Sequence, residues 1–229
     1  MKTLIIFAHP EPRSFCAALK NAAAEFFGEN VEISDLYAQN FKAIADSADF
    51  LSRANPDYFN YALEQRAAQK SATLAPDIAA ELAKIDRADL VLFVFPLFWY
   101  SVPAILKGWF DRVLVSGKAY GGKRIFNKGG FVGKRAALAF TLGGHKGLFG
   151  ERGIHGELEI LLKPILQGTL GYVGFDVLPP FVAYHIPYID DAARQNILRD
   201  FQSYLENLEN AAPLPMPDLA NFDERLNPL

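Results

Sequence analysis

Cysteine is nearly absent. Cys16 is the sole one among 229 residues, so no internal disulfide can form and a reducing, cytoplasmic setting is expected. Histidine is scarce too: His9, His145, His155 and His185 stand at no spacing that reads as a zinc site. Charge of one sign is not in excess. The formal net charge is −3 with no run of like charges, so the basic footprint of a nucleic-acid-binding protein is missing. No apolar stretch approaches ~18 residues, so no membrane-spanning helix is expected. The opening MKTLIIFAHPEP has too brief an apolar run for a signal-peptide core, and no A-x-A-like site follows. It reads instead as a buried first strand. Internal repeats and low-complexity tracts are also lacking.

What is present is a regular alternation. About half the chain is hydrophobic, enough for one sizeable core. Lys2–Ala8, Val31–Leu36, Leu90–Phe95, Arg135–Thr141 and Phe175–Val182 read as strands. Helical patterns fall at Phe15–Phe27, with Ser14 as its N-cap, and at Asp77–Ile85, Ala104–Leu114, Ile154–Leu170 and Asp191–Leu208. Strands alternating with helices indicate βαβ units and a parallel sheet, and continuous apolar strands fit a sheet covered on both faces. The expectation is an α/β, flavodoxin-like, doubly wound five-stranded sheet of order 2-1-3-4-5, with helices on both faces and a C-terminal extension. Residues 1–210 form one domain, with a long excursion over 38–76 and a tail over 211–229. The aromatics of the excursion (Phe41, Phe50, Tyr58, Phe59, Tyr61) argue for folded structure rather than disorder. Pro213–Leu229 reads as an extended tail laid on the surface.

In such sheets ligands sit beyond the carboxyl ends of the strands, at the switch point beside strand 1. That rule selects three connections: loop 1 (His9–Ser14), loop 3 (Pro96–Pro103) and loop 4 (Leu142–Gly153). Loop 1 lacks the glycines of a dinucleotide fingerprint or a P-loop, but it leads into a helix N-terminus, which favours an anion. Ser14, His9 and Arg13 are potential donors there; a Pro-stiffened turn with a capping serine is the plainer alternative. Loop 3, FPLFWYSVP, places Phe98, Trp99 and Tyr100 in a row between Pro96 and Pro103. Pattern alone leaves two readings open, a floor for a flat ligand or a hydrophobic plug. The three rings are not expected to point the same way. At least one should line a pocket while another packs inward or on a partner subunit. The next helix, with Trp109 and Phe110, serves the fold.

The segment Thr141–Gly156 holds six glycines in sixteen residues, which is costly unless the backbone turns sharply or approaches something closely. Gly143 and Gly144 follow the fourth strand directly. His155 stands near the next helix; by itself a lone histidine is more often structural than catalytic, and His145 and His185 carry only a surface or core reading. A phosphorylated receiver domain is excluded, since His9–Pro10 and Phe95–Pro96 occupy the places its acids need. A nucleophilic hydrolase is poorly supported: Cys16 lies inside a helix with no assigned base, and no G-x-S-x-G occurs.

Five blocks in order, AHPEPRSF, SDLYAQNF, FPLFWYSVPAILKGWFDRV, TLGG and GIHGELEILLKPILQGTLGYVGFDVLPP, resemble the NAD(P)H quinone oxidoreductase family. These are the flavodoxin-fold flavoproteins known as DT-diaphorase and quinone reductase 2. The likeness runs from about Lys2 to about Leu208. It implies FAD, a homodimer and two active sites at the subunit interface. It places the pyrophosphate at His9, Phe15 and Cys16, although asparagine is usual where Cys16 stands. It places the isoalloxazine ring on Leu97, Phe98, Trp99 and Tyr100, with Thr141, Leu142, Gly143 and Gly144 at its polar rim. Asn60 matches a residue reaching FAD from the excursion. Arg194 and Asp191 match positions that contact FAD from the partner chain. Tyr120 matches a tyrosine lining the quinone pocket, and Gly122 stands where a second one is often found.

The same likeness implies two-electron, ping-pong hydride transfer from NAD(P)H through flavin N5 to quinones, azo compounds or nitroaromatics. A tyrosine and a histidine of the family steady the resulting negative charge. His155 matches the histidine, but Phe149 stands at the tyrosine position. The expectation is therefore that His155 acts alone, or with Thr141, water or loop N–H groups. The long excursion favours FAD over FMN, since shorter FMN-binding relatives lack much of it. Two other readings share the fold: an ancillary subunit of a potassium-efflux system and an electron-carrier flavodoxin. Against the carrier, a net charge of −3 is weak support for docking on basic redox partners.

Overall fold

In the computed structural model, which describes Met1–Leu229, β1 (Thr3–Phe7) is buried at every position. Its side chains alternate faces. Leu4 and Ile6 enter one core, Ile5 and Phe7 the other. Its neighbour β3 (Leu90–Pro96) divides likewise, with Val91, Phe93 and Phe95 opposite Leu90, Leu92 and Val94. Each such side chain contributes about 1.5–3 kcal/mol when fully buried. This two-sided burial is why the strands read as unbroken apolar runs. β1 also pairs in parallel with β2 (Val31–Asp35), and β3 with β4 (Arg135–Thr141). α1 (Phe15–Phe27) and α6 (Asp191–Asn207) cover one face of the sheet; α3 (Pro76–Arg87), α4 (Ala104–Val113) and α5 (Leu158–Ile165) cover the other.

The order 2-1-3-4 is as expected, but the fifth strand is divided. β5 (Asp176–Val177) pairs with the start of β4, and β6 (Phe181–Ala183) with its end. Pro179 and Pro180 lie between them and have no N–H to donate to a ladder. The helix expected over Ile154–Leu170 is shorter as well. α5 starts at Leu158, after a turn in which Gly156 has φ +72°. It contains Pro164, and beyond Ile165 it widens into a π-helical turn, Leu166–Gly171.

The excursion after β2 is folded. Phe41 and Phe50 are buried, and α2 (Tyr61–Ser71) closes it. Its anchor is Asp49, whose carboxylate accepts from Arg112 Nε at 3.1 Å and Nη2 at 3.0 Å, from Tyr61 at 2.7 Å and from Lys42 at 2.9 Å. Burial opposes the Asp49 charge, but these donors outweigh it and hold the carboxyl below its ordinary range. Gly108 lets the excursion approach α4: a Cβ there would lie 2.0 Å from the Ala43 carbonyl oxygen. Trp109 is fully buried and donates to Glu81 at 2.8 Å, in keeping with a structural role. The tail crosses the far sheet edge, where Leu214 N–H donates to the Val177 carbonyl at 2.7 Å. No helix is long and apolar enough to cross a membrane.

Candidate active site

Since β1 and β3 are neighbours and their chains leave to opposite faces, a crevice opens at their carboxyl ends. Loop 1 forms one wall. Ser14 caps α1, its Oγ accepting from the Ala17 N–H at 3.1 Å. The N–H groups of Phe15 and Cys16 have no acceptor within the chain, so α1 presents two free donors at the positive end of its dipole. His9 Nδ1 accepts from the Glu11 N–H at 3.0 Å, which leaves the proton of the neutral ring on Nε2. Burial lowers the His9 pKa despite the opposing effect of Glu11, so the ring favours its neutral form. Arg13 is exposed and ion-paired with Glu11 at 3.0 Å.

Cys16 is buried, and its Sγ lies 3.2 Å from Thr141 Oγ1. Burial pushes the thiol up to about 11, so it stays protonated at neutral pH. The Thr141 hydroxyl is thus engaged behind the loops.

Loop 3 follows Pro96, the last residue of β3. Phe98 and Ser101 exchange backbone hydrogen bonds at 2.9 Å each, closing a two-residue hairpin. The residues at its tip are Trp99 (φ +51°) and Tyr100 (φ +58°). Positive φ at both centres is the geometry that Asn-Gly adopts easily and large aromatic residues do not. None of Phe98, Trp99 or Tyr100 is buried, and Trp99 is 96% exposed. Inward packing of one ring is therefore excluded. Leu97 anchors the hairpin, its N–H donating to the Thr141 carbonyl at 2.8 Å. The N–H groups of Trp99 and Tyr100 find no acceptor in the chain.

Loop 4 faces this hairpin. Leu142 is buried and held by the Ala183 carbonyl at 3.0 Å, while the N–H groups of Gly143 and Gly144 are free. His185, expected to be a surface or core residue, supports the turn: its Nδ1 lies 2.9 Å from the Gly143 carbonyl oxygen. The Phe149 ring packs over Gly144, and its centroid is 5.3 Å from that of His155. The Tyr100 hydroxyl lies 2.8 Å from His155 Nδ1, joining loop 3 to loop 4. Sequence reasoning missed this contact, because two residues 55 apart on separate loops leave no periodic trace.

Other expected site residues lie elsewhere. Tyr120 lines a groove of about 450 Å³ with Tyr61, Gln65, Lys107, Asp111 and Tyr172, beside α2, α4 and the π-helical turn. Gly122 is exposed nearby with φ +60°. Asn60 caps α2, accepting from the Leu63 N–H at 3.2 Å. Arg194 pairs with Asp191 at 2.9 Å and donates to the Ile186 carbonyl at 3.3 Å, on the first turns of α6 behind loop 4. Loops 1, 3 and 4 thus come together, while Asn60, Tyr120 and Gly122 belong to other surfaces.

A family model described as the flavodoxin-like fold matches residues 1–207. The chain is 42% identical over 226 residues to NAD(P)H dehydrogenase (quinone) 1 of Cavia porcellus, covering 97% of this chain and 82% of that protein. It is 39% identical over 218 residues to the ribosyldihydronicotinamide dehydrogenase (quinone) of Homo sapiens, covering 93% and 94%. A crystal structure from Klebsiella pneumoniae, assigned as a quinone reductase, superposes with TM-score 0.92 at 38% identity, covering 97% and 91%. The crevice at the switch point, the sheet order and these matches agree: the chain belongs to the flavodoxin-like family and, within it, to the NAD(P)H dehydrogenase (quinone) family.

Proposed function

We propose that this protein is a flavin-dependent NAD(P)H:quinone oxidoreductase. The observation that carries the reading is a ring of free backbone donors, from Phe15, Cys16, Trp99, Tyr100, Gly143 and Gly144, around one crevice with exposed aromatic rings beside it. Those residues fit a flavin. Loop 1, with the Phe15 and Cys16 N–H groups, Ser14 and the His9 Nε2–H, suits the phosphates. Leu97, Phe98, Trp99 and Tyr100 suit a flat ring, and the Gly143 and Gly144 N–H groups suit its polar edge. When bound, a flavin takes two electrons as a hydride from NAD(P)H and passes them to a flat acceptor.

The chain's own part is to orient and to stabilise charge. A hydride brings one negative charge into the site. A fixed donor facing that charge is worth about 2.7–4 kcal/mol. His155 is the side chain in this role, with the loop N–H groups around it. Phe149 has no polar group and serves as packing for the imidazole.

FAD is favoured over FMN in this proposal, because the chain carries a folded excursion over residues 38–76 in addition to the ring-binding loops. A Treponema denticola protein crystallised with FMN shares the fold at TM-score 0.65 and 27% identity, so the smaller flavin remains the outcome to exclude. A homodimer is part of the proposal. Trp99 stands almost fully in solvent and Tyr120 lies apart from its own chain's loops, so a second subunit completing each site accounts for both. A potassium-efflux ancillary protein of Enterobacter is 36% identical over 203 residues, a shorter and weaker match than the quinone dehydrogenases.

The test is to purify the protein, release and identify its flavin, and follow NADH and NADPH oxidation with a simple benzoquinone. The proposal predicts FAD and turnover. A protein that cannot be loaded with any flavin would overturn it.

A further inference from the structure

We infer that Tyr100 is a positioning residue: its phenol, held 2.8 Å from Nδ1 of His155 by a strained hairpin, fixes the imidazole so that Nε2–H is the donor presented to the reacting site. The inference rests on the oxidoreductase reading above. Within the chain this is the only side-chain hydrogen bond His155 makes. In this proposal the hydroxyl is the donor and Nδ1 the acceptor, the arrangement of the pair that leaves the ring proton on Nε2. With Nδ1 so occupied, the ring proton resides on Nε2, which has no partner within the chain. Phe149, whose ring centroid lies 5.3 Å from that of the imidazole, supplies only carbon, so Tyr100 is the side chain that sets the tautomer.

The backbone gives an independent reason. Trp99 and Tyr100 both adopt positive φ, at a cost of order 1–3 kcal/mol each for residues with large side chains. The turn is exposed, so core packing does not demand this conformation. What it achieves is to bring the Tyr100 hydroxyl across to loop 4. Strain held at a hairpin that its own subunit does not bury is the pattern of a preorganised site. A second-sphere donor that fixes a ring nitrogen also fixes where the opposite nitrogen aims.

Two readouts on Tyr100→Phe test this. The first is ¹⁵N NMR of the His155 ring, assigned by its loss in His155→Ala and recorded on cofactor-free and flavin-loaded protein. Wild type should show one tautomer, with the proton on Nε2, and Tyr100→Phe should show averaging of both. The second is stopped-flow reduction by NADPH at saturating flavin. The rate should fall roughly tenfold to a hundredfold, less than the ~10²–10³ for deleting a charge-stabilising donor outright. Melting temperature and flavin affinity should hold. Unchanged tautomer, or a changed tautomer with an unchanged rate, would overturn the role of Tyr100 while leaving the oxidoreductase reading in place. Wild-type protein that oxidises neither nicotinamide with any quinone would sink that reading instead, and the NMR arm would still decide whether Tyr100 sets the tautomer.

Discussion

Two tyrosine hydroxyls make bonds of nearly equal length in this protein, and they do opposite work. Tyr61 meets Asp49 at 2.7 Å inside a network of Arg112, Lys42 and Asp77. Tyr100 meets His155 at 2.8 Å on the surface. Around Asp49 every charge is met by a partner, the side chain is fully buried, and the excursion is locked onto α4. Around His155 the backbone is strained, several N–H groups are free and the rings stand in solvent. A satisfied buried network fixes shape. An unsatisfied, exposed and strained one is poised to receive something. The difference lies in the surroundings of the bond, not in its length.

The comparison breaks most visibly at Arg112. Arg112→Met leaves Asp49 buried without its guanidinium and should cost about 3–5 kcal/mol of stability in denaturant unfolding. Flavin reduction in the remaining folded protein should be untouched. The pH dependence follows. Asp49 is held below its unfolded range, so its stabilisation is present at neutral pH and is lost as pH falls through the folded value. In Arg112→Met that acid loss should begin at higher pH, which unfolding curves recorded at successive pH values will show. Next in size is Gly108→Ala. Its Cβ would strike the Ala43 carbonyl, so about 1–3 kcal/mol of overpacking is expected in thermal melts, again without slowing the chemistry. The smallest effect sharpens the other side. Phe149→Tyr should alter flavin reduction little, because Tyr100 already supplies a phenol to His155. A large acceleration would show that the hydroxyl at 149 is the one the site lacks.

Much of this was legible in the chain. The residues of α1 and its Ser14 cap follow from an alanine-rich helical pattern after a serine, and β4 from its apolar run. The loops that build the crevice follow from strand order alone, because a switch point depends on topology rather than on side chains. The division of the fifth strand was written in Pro179–Pro180, but an apolar pattern is blind to a missing N–H. α5 starts later than the helical pattern suggests because the turn containing Gly153 and Gly156 runs past His155. The hairpin at Trp99–Tyr100 could not be read at all. Aromatic residues carry no preference for positive φ, so tertiary context set that conformation. The bond from Tyr100 to His155 depends on it and was hidden for the same reason.

The claim that the exposed pair belongs to the chemistry meets its most direct test in stopped-flow reduction of flavin-loaded His155→Ala by NADPH. The account predicts a rate roughly 10²–10³-fold below wild type, with flavin affinity and melting temperature unchanged. A rate equal to wild type would contradict it.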